Sequence, residues 1–221
     1  MAAIASPSNN RLAESFLPGQ MSEDEFVQWL TDDIWAEGVD GEVVMMNAVS
    51  LSHNDMYLFV LELVIGFVKK FELGKVLSEP FQVRLPRQRR RRSPDIAFVS
   101  NEQLGQLREN QFNGGPDLVI EIVSRESQER DRQEKFAEYE AAGVKEYWLV
   151  DPTLRSFEAY SLNEKRKYIL LPVIGGAVHS KVLAGVYFRP EWVYQLKLPD
   201  VPTLLRQFSR NRKKLASSRR A

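Results

Sequence analysis

Apolar positions along this chain recur with two periods, and the changes of period mark out its elements. Ser22 and Glu25 form an S-x-x-E capping pattern ahead of Phe26, Val27, Trp29 and Leu30, which predicts a short helix. Asp40-Gly41 reads as a turn, and Glu42-Val43-Val44-Met45-Met46 as the strand after it. Ser52 and Asp55 repeat the capping pattern and open the clearest helix, whose Tyr57, Val60, Leu61, Val64, Phe67, Val68 and Phe71 make one apolar stripe that Gly74 closes. Residues 76–85 read as a strand bent at Pro80, the arginine-rich run after it as a hairpin loop, and residues 94–99 as the next strand. A polar connector over 100–113, with a helical turn at 103–107, leads to a β-branched run at 117–123 bounded by Gly114-Gly115-Pro116. Phe136, Tyr139 and Ala142 predict a helix ended by Gly143, and Tyr147-Trp148-Leu149-Val150 a strand stopped by Asp151-Pro152. Residues 157–162 and 168–171 suggest a hairpin, and 182–188 a half-buried strand.

The order is α, β, β, β, α, β with further strands at both ends. It predicts an α/β fold: a mixed central sheet flanked by helices. Residues 1–20 are small and polar and read as a flexible segment, residues 21–200 as one domain, and residues 201–221 as a basic, weakly patterned tail. No internal repeat is visible.

Composition narrows the chemistry. The 221 residues are 43% hydrophobic and 27% charged, enough for one sizeable core. With no cysteine and only two histidines, thiolate and His-rich metal sites are excluded, so any metal is expected to be a hard cation on oxygen ligands. No apolar run reads as a bilayer span and the start does not read as a signal peptide, so no membrane role and a cytoplasmic location are expected. Thirty basic and thirty acidic side chains cancel. The base is nonetheless concentrated in Arg87, Arg89, Arg90, Arg91 and Arg92 and in the tail, and guanidinium groups suit a nucleic-acid backbone.

Glu121 needs an explanation, because it stands in the middle of a run a core would fill with apolar side chains. A carboxylate there must be paired, protonated or bound to metal. Asp95 begins the neighbouring predicted strand, and the two acids on one sheet end would repel unless a divalent cation lay between them; Mg²⁺ fits, with Mn²⁺ as the substitute. Lys135, one residue before Phe136, borders the sheet-facing side of the next helix, where it reaches either towards the acids or to Asp131 at i−4. His53 lies on the buried stripe. Asp117, at an even offset from Glu121, and Gln82, on the adjoining strand, are supporting candidates.

Pro94-Asp95, the strand holding Glu121 and the run Ala141-Ala142-Gly143-Val144-Lys145-Glu146-Tyr147-Trp148-Leu149-Val150-Asp151-Pro152 resemble the Uma2 family of the PD-(D/E)XK nuclease superfamily. The resemblance extends over roughly residues 35–190. It implies a restriction-endonuclease-like αβββαβ core, a Mg²⁺ site and phosphodiester cleavage, with Asp95 and Glu121 as the motif acids. The superfamily lysine usually follows the second acid by two residues, where this chain has Val123; in Uma2-like sequences it lies on the next helix, which fits Lys135. Glu42 would supply a further acid from the N-terminal strand. The activity implied is a Mg²⁺-dependent endonuclease acting on DNA. The alternative is a catalytically silent module of the same fold that binds nucleic acid or itself. Exposed sheet edges make a homodimer the expected assembly.

Overall fold

A computed structural model describes residues 21–31, 34–46 and 49–218. The flexible segment expected over 1–20 lies outside them.

The central sheet holds six strands. In chain order these are β3 (Gly74–Ser78), β6 (Ile96–Ser100), β8 (Leu118–Ile122), β9 (Glu146–Asp151), β10 (Ser156–Leu162) and β11 (Tyr168–Leu170). They lie side by side as β11-β10-β9-β8-β6-β3. β8 and β9 pair parallel and every other neighbouring pair is antiparallel. The parallel pair is joined through α3 (Lys135–Ala142), and the long helix α2 (Leu51–Lys70) precedes β3. Thus α2-β3-β6-β8-α3-β9 is the αβββαβ order predicted from the sequence.

Strand parity decides what each face of this sheet carries. Ile96 and Phe98 on β6, and Leu118, Ile120 and Ile122 on β8, pack against Val60, Val64 and Phe67 of α2. The alternate residues Ala97, Val99, Val119 and Val123 pack with Tyr139 of α3 and with Val83, Leu85 and Phe112 from a second sheet. Glu121, between Ile120 and Ile122, therefore faces α3.

That second sheet, absent from the sequence reading, has five strands in the order β2-β1-β5-β4-β7. Its members are β1 (Ala36–Val39), β2 (Glu42–Met45), β4 (Gln82–Leu85), β5 (Arg90–Arg92) and β7 (Gln111–Asn113). The stretch 76–85 is thus two strands in different sheets, parted at Glu79-Pro80, not one bent strand. The arginine run is not a loop either: Arg90, Arg91 and Arg92 form β5, between β1 and β4.

The helices depart from expectation at their ends. α1 (Glu23–Trp29) has the predicted capping box between Ser22 and Glu25. α2 is capped by Ser50 rather than Ser52, its hydroxyl accepting from His53 N at 3.2 Å. At 20 residues, α2 is by length and composition long and apolar enough to cross a membrane, contrary to the sequence reading. Its buried residues, Met56 to Val68, are instead core against the sheet. Residues 182–188 give only the short β14 (Tyr187–Phe188), which joins β12 (Val173–Ile174) and β13 (Ala177–His179) in a three-stranded sheet. The basic tail is α4 (Val201–Ser218), which buries Val201, Leu204 and Phe208 against α2 and this small sheet.

Candidate metal centre

Before α3 the chain makes one π-helical turn, Arg130–Glu134, wider than an α turn by a residue. It delivers Lys135 to the buried face of the helix. The ammonium lies 3.0 Å from Glu121 Oε1, 3.3 Å from Asp131 Oδ1 and 3.5 Å from Glu37 Oε1. Both alternatives read from the sequence, the sheet acid and the i−4 aspartate, are realised together.

β6 and β8 bring the two motif acids side by side. Asp95 N donates to Glu121 Oε2 at 3.4 Å, and Asp95 Oδ2 accepts from Ile122 N. Tyr139 OH donates to Glu121 Oε1 at 3.1 Å. His53, at the start of α2, sets its Nε2 3.8 Å from Asp95 Oδ2 and its ring against the Ile122 backbone carbonyl. Burial holds this imidazole below its ordinary pKa, so it is neutral at pH 7.

Two acids unforeseen in the sequence complete the cluster. Glu79, at the β3–β4 crossing, hydrogen-bonds Asp95. Glu37, on β1, accepts from Ser93 N at 3.0 Å and from Arg92 at 2.9 Å. Five carboxyls (Glu37, Glu79, Asp95, Glu121 and Asp131) thus gather around Lys135 and Arg92, and Arg92 also serves Glu134 and Glu138. Burial, then the neighbouring carboxylates, pushes Glu121 up to about 8 and Asp95 well above its usual range. Glu79 is raised too, by burial first. Glu37 goes the other way: burial opposes its charge, but Lys135 and Arg92 overcome it. The cluster is short of positive charge.

His53, Glu79, Asp95, Glu121, Asp131 and Lys135 line one cleft of about 460 Å³, together with Ser124–Ser127, Arg130 and Thr153. The buried Nε of Arg130 has no hydrogen-bond partner among the described residues. Acid crowding is what a divalent cation relieves, and two carboxylates beside a peptide carbonyl suit Mg²⁺, which retains several waters. Asp95 and Glu121, with the Ile122 carbonyl beside them, therefore fit the ion. A fuller protein cage is missing: among the described residues no three His, Asp or Glu side chains form a metal-binding group.

Other predicted residues lie elsewhere. Glu42 is exposed on the edge strand β2 and lines a separate cavity with Asp40 and Arg89. The inward acid of that hairpin is Glu37, because β1 is flanked by strands on both sides and β2 is not. Asp117 accepts from Ser100 N at 2.7 Å and pairs with Lys145, about 13 Å along β8 from Glu121. Gln82 ties β4 to Ala36 O and Ser93 Oγ. Within the arginine run, Arg90 and Arg92 point to Glu138 of α3 while Arg91 points to Glu23 of α1, as strand alternation requires. These three are engaged internally; Arg87 and Arg89 are exposed.

An αβββαβ core with paired sheet acids and a helix-borne lysine defines a restriction-endonuclease-like protein. A family model described as "Putative restriction endonuclease" matches residues 23–190, and the chain belongs to that family, Uma2. Its structure is similar to the crystal structure of "a putative nuclease belonging to DUF820" from Anabaena variabilis ATCC 29413, with a TM-score of 0.66. The two are 14% identical, over 79% of this chain and 97% of the other. No curated protein matches the chain.

Proposed function

We propose that the chain is a divalent-metal-dependent nuclease that hydrolyses phosphodiester bonds of DNA. The observation that carries this reading is the convergence of Asp95, Glu121 and Lys135 in a cleft with more carboxyls than cations. Asp95 and Glu121 would hold Mg²⁺, or Mn²⁺ in its place. When bound, the ion supplies Lewis-acid stabilisation of phosphoryl charge and a more acidic water. Lys135, kept protonated by Glu121, Glu37 and Asp131 despite burial, offers its ammonium to the attacking water or to the charge developing on phosphorus. His53 holds the Asp95 and Ile122 side of the cleft in place. Arg130 lines the cleft and offers a guanidinium suited to a non-bridging phosphate oxygen.

The test is cleavage of single- and double-stranded DNA and of RNA by the full chain, with Mg²⁺ and with chelator. Mg²⁺-dependent cleavage of DNA, reduced on the order of 1000-fold in Glu121→Gln, is expected. The Lys135 ammonium already pairs with Glu121, Asp131 and Glu37 without a metal, which favours a second reading, a silent nuclease-fold module. Salt-sensitive DNA binding with no cleavage in Mg²⁺ or Mn²⁺ would establish that instead.

The same proposal includes self-association as a homodimer. β11 is the outermost strand of the central sheet and exposes Ile169 and Leu170.

A further inference from the structure

Another concavity, of about 550 Å³, lies between α4 and the three-stranded sheet. Gln207, Arg210, Asn211 and Lys214 follow one another at i, i+3, i+4 and i+7 and so present one face of α4 to it. The opposite wall contributes His179 from β13 and Arg189 just beyond β14, with the Tyr187 ring between them. No Asp or Glu lines the hollow, and α4 contains none over 201–218. Arg210 and Lys214 form no ion pair among the described residues; Arg189 reaches Glu191 only at 3.9 Å. The Tyr187 hydroxyl is spent on Gln207 Oε1, which fixes the floor.

We propose that this groove is a docking site for a nucleic-acid phosphodiester backbone, separate from the cleft. A solvated helix face would explain cations on α4 alone. It does not explain cations from the chain after β14 and from α4 facing one acid-free hollow. The length of the row excludes a lone phosphate as its natural occupant. From Gln207 to Lys214 is about 10 Å along the axis, which spans roughly three nucleotides of one strand. The groove flanks the far end of α2: Leu205 contacts Gly66, and Arg212 lies over the Phe67 and Phe71 rings. His53, at the near end, faces the cleft, so the two sites are separated by about 21 Å of helix, or about six base pairs. A bound strand would be anchored at a distance from the bond to be cut.

The inference rests on nucleic acid being the ligand of the cleft, and the experiment keeps the two apart. Anisotropy titration of the full chain with a labelled 30-base-pair duplex, in chelator and over a salt series, reads binding without cleavage. Arg210→Gln/Lys214→Gln is expected to weaken binding at least tenfold and to flatten the salt slope by about two. Its melting curve should match the parent's, because both side chains are exposed. Because every titration is made in chelator, loss or absence of cleavage does not enter the reading. An unchanged affinity and slope in the double variant overturns the groove, as does a parent that binds no duplex. Binding to phosphatidylserine vesicles without duplex binding overturns it as well, as does competition by millimolar inorganic phosphate equal to that by duplex.

Discussion

Lys135 is buried among carboxyls that outnumber the cations beside them, and this ties stability to pH. Glu121 has its pKa raised to about 8, and Asp95 and Glu79 are raised with it, first by burial. A raised folded-state pKa means that the folded chain holds protons more tightly than the unfolded one. The stabilisation is full below about 4.5 and is lost as pH rises through about 8. Without metal, the Tm is therefore expected to fall between pH 5 and pH 9, on the order of 5 °C, with Mg²⁺ restoring much of it at the upper end. Scanning calorimetry across that range with chelator and with Mg²⁺ checks this; a flat metal-free profile would sink it. Glu121 was legible in the sequence because an acid inside a β-branched run has no ordinary excuse. Glu79 was not, because beside Pro80 it read as part of a single bent strand. Glu37 and Glu42 flank the same turn and share a face of the hairpin, and only the pairing of β1 on both edges shows which of them is buried.

At the scale of elements, α4 shows what pattern reading misses. The apolar positions it packs into the core, Val201, Leu204, Leu205 and Phe208, occupy only its first half, and the cations after them read as a tail. What makes it a helix is tertiary: Phe208 is fully buried, edge-on to Phe67 at 6.2 Å and to Tyr187 at 4.9 Å. Phe208→Ala is expected to cost about 3–5 kcal/mol, read by urea denaturation. A loss below about 1 kcal/mol would mean that α4 is an ornament on the fold. The αβββαβ elements were legible because each carries its own period. The five-stranded sheet was not, because its strands are only three or four residues long and one of them, β5, is all arginine.

Across the whole molecule, the site is assembled where the two sheets meet. β1 supplies Glu37 and β5 supplies Arg92; Glu79 comes from the β3–β4 crossing, Asp95 from just before β6, Glu121 from β8, Asp131 from the turn before α3 and Lys135 from α3. The fully buried Arg92 links Glu37 of one sheet to Glu138 of the helix packed on the other. The opposite margin, β11, has no neighbour on its outer side among the described residues. Sedimentation velocity is expected to show twice the monomer mass, and Ile169→Lys to return a monomer; a monomeric parent at micromolar concentration would remove that part of the reading. The wide turn at Arg130–Glu134 has a consequence of its own. One residue of slack there sets the azimuth of Arg130 and Asp131 relative to Lys135. Deleting it would close a regular α-helix and swing the preceding residues by about 100°. The fold would keep every motif acid and its lysine yet lose the wall that faces them. A relative could thus be silenced by its spacing alone, with every signature letter still in place.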